Sequence, residues 1–151
     1  MKNFNVVLFE PEIPQNTGNI IRLCACTGCN LYLIGKLGFT MDEKHLKRSG
    51  LDYFDSVKIE HLNTLDELIK KFPQNNFYFL TTKYPKKYTE TAFQEGDFFV
   101  FGPESRGIPE NLLSQNAEFC RTIPMKPNKR SLNLSNSVAI VVYEAIRQCG
   151  I

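Results

Sequence analysis

Short runs of Val, Ile, Leu and Phe recur along the chain, and between them the hydrophobic positions fall at helical spacing. The runs at 6–9, 31–34, 57–59, 77–81 and 98–101, with a weaker one at 120–123, have the length and composition of strands. Helical periodicity covers 17–27, 42–48, 64–72 and 134–148, with a short helical turn at 109–114. Strand and helix therefore alternate almost throughout. This predicts an α/β fold with a mainly parallel sheet flanked by helices, because parallel neighbours need a crossover that a helix supplies. No repeat or low-complexity linker interrupts the order, so residues 1–151 are expected to form one domain.

Two of the helices say more than their existence. In the first, Asn16 or Thr17 can cap the start, and Ile20, Leu23, Cys24 and Thr27 share one side. Asn19, Arg22 and Cys26 take the other. Arg22 thus leaves the buried stripe, on an element that follows the end of the first strand, where open α/β sheets gather ligands. A surface arginine paired with a carboxylate is the equal alternative. In the last helix, Val138, Val142, Ala145 and Cys149 make one stripe, while Ile140 and Tyr143 point the opposite way. Only the side with Ser137, Glu144 and Gln148 is clearly polar. A helix apolar on nearly all sides must be covered on nearly all sides. A homodimer would do this, and so would burial between sheet and loop.

Charge narrows the partners. The net charge of +2 is too small to hold nucleic acid by overall attraction. Nine of the eighteen basic residues nevertheless lie in three stretches: Lys44, Lys47 and Arg48; Lys83, Lys86 and Lys87; and Lys126, Lys129 and Arg130. Each alone reads as a solvated face unless the fold brings them together. The first apolar run stops at Glu10 after four residues, which predicts neither signal peptide nor membrane span. With five cysteines, an odd number, the expectation is a reduced, cytoplasmic protein. Cys24, Cys26 and Cys29 lack the spacing and partners of a metal site, and none is expected. His45 and His61 are too few to support a histidine triad or a zinc-bound water.

Candidate chemistry concentrates in three loops at strand ends: P-E-I-P-Q-N-T-G-N-I-I-R at 11–22, F-G-P-E-S-R-G-I-P-E at 101–110, and I-P-M-K-P-N-K-R-S-L-N-L-S-N at 123–136. Gly102 and Gly107 permit close backbone approach or positive φ, while Pro103 and Pro109 fix φ and remove donors. Such a loop can hold a planar base or small polar ligand through its main chain, with Glu104 available for a donor; a tight turn is the simpler use of the same letters. Neither a phosphate-binding G-x-x-x-x-G-K-[ST] loop nor the dinucleotide pattern G-x-G-x-x-G is present, which disfavours ATP hydrolysis and NAD chemistry. No acid pair stands out beyond Glu10, Glu12 and Glu104.

In this order the three loops resemble the signature motifs of the SPOUT superfamily of knotted methyltransferases. Asn16 followed six residues later by Arg22 is similar to the first motif, F-G-P-E-S-R-G-I-P to the second and R-S-L-N-L-S-N-S-V-A-I to the third. Together with S-G-L-D-Y at 49–53, the likeness runs from about residue 6 to 148 and is strongest to the minimal bacterial enzymes that 2′-O-methylate the tRNA wobble nucleotide, cytidine or uridine.

The resemblance implies an α/β knot with a C-terminal trefoil knot, S-adenosyl-L-methionine as cofactor, a tRNA substrate and an obligate homodimer. It places Leu80, Gly102, Ile123 and Ser131 at the cofactor, largely through backbone groups. Arg22 becomes the arginine of the catalytic centre, supported by Glu104, Ser131 and Asn133. RNA contacts fall to Asn16, Lys129, Arg130 and Tyr143. An arginine cannot serve as free base, so Arg22 is expected to orient an RNA phosphate or the ribose 2′-hydroxyl and to stabilise developing negative charge. Another tRNA or ribosomal RNA target, or an RNA-binding module without activity, are the alternatives at this stage.

Overall fold

A computed structural model describes residues 3–42 and 54–150. Within them the chain forms β1 (Asn5–Phe9), α1 (Pro14–Thr27), β2 (Asn30–Ile34), β3 (Ile59–Leu62), α2 (Leu65–Lys71), β4 (Phe77–Leu80), β5 (Phe98–Phe101), α3 (Glu110–Gln115), β6 (Cys120–Arg121) and α4 (Leu134–Cys149). The strands make one sheet in the order β3-β2-β1-β5-β4-β6, and every pairing is parallel. The expected parallel sheet flanked by helices is therefore present.

Alternate strand residues feed the two faces. Val6, Leu8, Leu31, Leu33 and Phe99 meet Ile20 and Ile21 of α1 and Val138, Val142 and Ile146 of α4. Val7, Tyr32, Ile34, Phe98 and Val100 meet Leu65 and Leu68 of α2 and Leu113 of α3. This period of two, with both faces apolar, explains why the strands read as continuous hydrophobic runs. Truncating one of these side chains to alanine removes about 2–5 kcal/mol by lost burial and the cavity left behind.

Several expected boundaries shift for local reasons. Helix α1 begins at Pro14, not at residue 17, with Ile13 as its cap and no side-chain cap bond. Proline suits that first position because its fixed φ is helical and its missing N–H would be unpaired there anyway. Asn16 and Thr17 are instead buried inside the first turns. Strand β3 occupies 59–62 rather than 57–59; it is an edge strand, with Glu60 half-buried, His61 exposed and Leu62 buried, so its signal is alternation and not an apolar run. In α1, Asn19, Arg22 and Cys26 are exposed and Ile20, Cys24 and Thr27 buried, as the spacing predicts. The expected helix at 42–48, with Lys44, Lys47, Arg48 and the 49–53 segment, extends outside the described residues.

Strand β6 fixes the arrangement around the sheet's other edge. Thr81 N–H donates to Arg121 O at 2.9 Å on one side, while on the other Thr122 N–H donates to Lys86 O at 2.8 Å and Tyr88 N–H to Thr122 O at 3.0 Å. Residues 121–122 thus run between two parts of the single loop that leaves β4. Arg121 is buried there over the Tyr78 ring, bonded to Thr91 and to the Glu118 and Cys120 carbonyls.

Candidate active site

The loops that leave β1, β4, β5 and β6 meet beyond the carboxyl ends of the strands, around a cavity of about 630 Å³. That volume lies in the range of small-molecule sites. The backbone approach predicted for the 101–110 loop is present. A Cβ on Gly102 would lie 2.8 Å from Gly107 Cα and closer still to Gly107 C and Ile108 N, so only glycine fits. Gly107 turns the chain back with φ +70°, its N–H donating to Pro103 O at 2.9 Å. The result is a stretch of bare main chain along the cavity.

Carboxylates clasp this loop to the one after β1. Glu104 accepts from Glu12 N–H at 2.8 Å, Ile13 N–H at 2.9 Å and Asn16 Nδ2 at 3.1 Å. In return, Glu12 accepts from Ser105 N–H and Ser105 Oγ, both at 2.8 Å. The Ser105 backbone bond, then its hydroxyl, hold the Glu12 carboxyl below its ordinary value against a small opposing effect of burial. Glu104 thus supplies from 91 positions away the acceptor that the start of α1 lacks locally.

Asn16 continues the chain of bonds into the third loop. Its Oδ1 accepts from Asn133 Nδ2 at 3.1 Å. Asn133 is also the cap of α4, its Oδ1 accepting from Asn136 N–H at 3.3 Å and from Ser135 Oγ at 2.6 Å. One side chain therefore both starts a helix and ties it to the other two loops.

Of the residues singled out from the sequence, Asn16, Leu80, Gly102, Glu104, Ile123, Lys129, Arg130, Ser131 and Asn133 all line the cavity. Arg22 and Tyr143 do not. Arg22 follows Asn16 by six positions, about 9 Å along the helix axis and roughly 120° around it, on the exposed side of α1. Tyr143 lies well along α4 and is 45% exposed. Sequence reasoning missed Ser105 as the partner of Glu12 and Arg106 as a lining residue, and read Lys83 as part of a solvated stretch unless the fold brought the basic stretches together; Lys83 and Arg106 line the cavity from the β4 and β5 loops. Arg106 stood in a quoted motif, but no periodicity marks which of a loop's side chains face inward.

Residues 3–143 match the SpoU rRNA Methylase family. The chain belongs to that family. Among relatives of known activity, this SpoU methylase is 50% identical over 148 residues to the tRNA (cytidine(34)-2'-O)-methyltransferase of Saccharophagus degradans, covering 97% of this chain and 96% of the relative. To the enzyme of the same description from Escherichia coli it is 46% identical over 147 residues, with 97% and 94% covered. A solved structure described as giving insight into 2-OH methylation of C/U34 on tRNA superposes with a TM-score of 0.91 at 40% identity, over 97% of this chain and 96% of that one. The SpoU methyltransferase AviRb of Streptomyces viridochromogenes, solved with the cofactor AdoMet, shares the fold at a TM-score of 0.87 and 21% identity, over 98% of this chain and 58% of its own.

Proposed function

We propose that the protein is an S-adenosylmethionine-dependent tRNA 2′-O-methyltransferase that modifies the ribose of nucleotide 34, a cytidine or a uridine. The observation that carries this reading is the continuous path Glu104–Asn16–Asn133, which joins three loops distant in sequence around one cavity. Near-full-length identity of 46–50% to tRNA (cytidine(34)-2'-O)-methyltransferases supports the substrate.

The cofactor fits the residues present. Gly102 leaves main chain exposed where any side chain would collide, and Leu80, Ile123 and Ser131 line the same space. Through their backbone groups these four would hold S-adenosylmethionine, which when bound supplies a methyl on a positive sulfur. The chain's own part is to present the ribose hydroxyl. Lys129 and Arg130 meet RNA phosphates, and Arg22 orients a phosphate or the hydroxyl and stabilises the charge that develops, the proton leaving to a phosphate oxygen or water. Since Arg22 lies outside its own cavity's lining, the RNA must also run along the exposed side of α1 or be shared with a second copy. Glu104 has both oxygens committed to three donors, so it acts by holding Asn16 and the start of α1 in place.

Three further features complete the reading. The partly uncovered face of α4 at Ile140 and the exposed Tyr143 supports a homodimer. The passage of 121–122 between two parts of one loop supports a C-terminal trefoil knot within a single domain. Among the described residues no helix is long and apolar enough to cross a membrane, in keeping with work on tRNA in the cytoplasm. The decisive experiment incubates the pure protein with labelled S-adenosylmethionine and total tRNA from cells lacking the modification, then maps the labelled nucleotide. Label on ribose 34 is expected. Label elsewhere, or only on ribosomal RNA, would reassign the target, and tRNA binding without label would make the protein a binding module.

A further inference from the structure

Arg106 lines the same cavity as Lys129 and Arg130, and its guanidinium is tethered to acids at the end of β1. Nη2 donates to Glu10 Oε1 at 2.9 Å, and Nε lies 4.0 Å from Glu12 Oε2. The tether is built at some cost to the backbone. Glu10 leaves β1 with φ +47°, a region that side chains other than Asn and Asp seldom adopt. Its side chain then lies against Gly35, where a Cβ would come within 2.8 Å of Oε2 and 2.9 Å of Cγ. A strained residue thus holds one half-exposed arginine, with a second acid nearby that Ser105 already engages, while Gly35 at φ +77° leaves room for the Glu10 side chain. Exposed ion pairs add little to stability, so stability does not account for the strain.

We propose that Arg106 is a further substrate-binding residue, which takes a backbone phosphate of the RNA at the cavity mouth, and that Glu10 is the positioning residue holding its fork there. A guanidinium has five N–H donors; one is used on Glu10 and the others remain for phosphate oxygens. Holding the fork in advance reduces the ordering cost when RNA binds. S-adenosylmethionine carries no phosphate, so the group must come from the nucleic acid. This inference rests on the methyltransferase reading above.

The test is steady-state methylation of tRNA at several salt concentrations, with calorimetric titration of S-adenosylhomocysteine as the check on the cofactor site. Arg106→Ala is expected to raise KM for tRNA about tenfold, the loss of one hydrogen-bonded charge. It should also flatten the dependence of log affinity on log salt by about 0.7 and leave S-adenosylhomocysteine affinity unchanged. Arg106→Lys should restore the salt dependence but little of the KM, because a point charge lacks the fork. Glu10→Gly relieves the backbone, so its melting temperature should equal or exceed wild type while KM rises; a lowered melting temperature with the rise in KM would make Glu10 purely structural. Wild-type KM and salt dependence in Arg106→Ala, with the parent enzyme methylating tRNA, would overturn this inference alone. A parent enzyme that methylates no RNA would overturn it together with the function on which it rests.

Discussion

Replacing Gly102 by alanine adds one methyl group at the most crowded point of the cavity wall. The new Cβ would face Gly107 Cα at 2.8 Å, with Gly107 C and Ile108 N nearer, and all three are backbone atoms that no rotamer change can move. Ordinary contact begins near 3.4 Å, and the two nearer atoms set the demand, so the loop must open by about 1 Å. The Glu104 bonds to Glu12 N–H and Ile13 N–H, now 2.8 and 2.9 Å, would stretch beyond good geometry under that movement. Overpacking of this kind costs about 1–3 kcal/mol, and with rigid backbone on the far side the upper end applies. For a chain of this size about 3 kcal/mol lowers the melting temperature by roughly 6–12 °C. Gly107 gives the internal control: its φ is +70° but a Cβ there meets nothing within 4 Å. Gly107→Asn should therefore be nearly neutral, since asparagine tolerates that conformation, whereas Gly102→Asn should be at least as damaging as Gly102→Ala. Thermal unfolding with calorimetric titration of S-adenosylhomocysteine reads both effects. A Gly102→Ala protein that melts within about 1 °C of wild type and binds the cofactor product equally well would refute the close-approach argument.

Other consequences follow from the same contacts. Asn133→Ala removes a helix cap and leaves the buried Asn16 Oδ1 without its donor, a loss of about 2 kcal/mol in urea unfolding, whereas Asn133→Asp keeps the cap but not the donor and should lose about half as much. Glu12 is held below its ordinary value of 4.5, so its contribution is complete above that pH and disappears as pH falls through the depressed folded value. The stability gap between wild type and Glu12→Gln should accordingly close as unfolding is measured at progressively lower pH. Asp97, which burial shifts upward, acts with the opposite sign in both proteins and drops out of the difference. If Lys83, Arg106, Lys129 and Arg130 each meet one phosphate, the slope of log affinity for tRNA against log salt should be about −3, and a flat titration would rule out the rim as an RNA contact.

Much of the scaffold was legible because burial on both faces writes each central strand as an unbroken apolar run. Strands β1, β2 and β5 lie where those runs are. Edge strand β3, half in water, carries Glu60 and His61 and was displaced in the reading for that reason. The glycine and proline pattern of the 101–110 loop was legible too, since the steric demand of close approach leaves few residue choices. The start of α1 was not. Local preference favours Asn or Thr as cap, but the acceptor comes from Glu104, and nothing within ten residues of Ile13 announces it. Long-range hydrogen bonds leave no periodic trace. The same reason hid Ser105 as the partner of Glu12.

These long-range bonds also explain how a site with so few reactive groups can work. Glu104, Asn16 and Asn133 are joined by hydrogen bonds, Glu12 is satisfied by Ser105, and none of the described residues lining the cavity is His, Cys or Asp. The polar side chains at the centre are thus spent on fixing the loops, while binding is left to bare main chain and to the cations at the rim. For a displacement in which the electrophile arrives already activated, that division is sufficient: the barrier depends on bringing an oxygen into line with a methyl group and on fixed dipoles facing the charge that develops. Rigidity from these hydrogen-bonded groups holds at any pH where the carboxylates stay ionised. The clasp between Glu104 and the start of α1 is therefore the element on which both the shape of the cavity and the chemistry proposed for it depend.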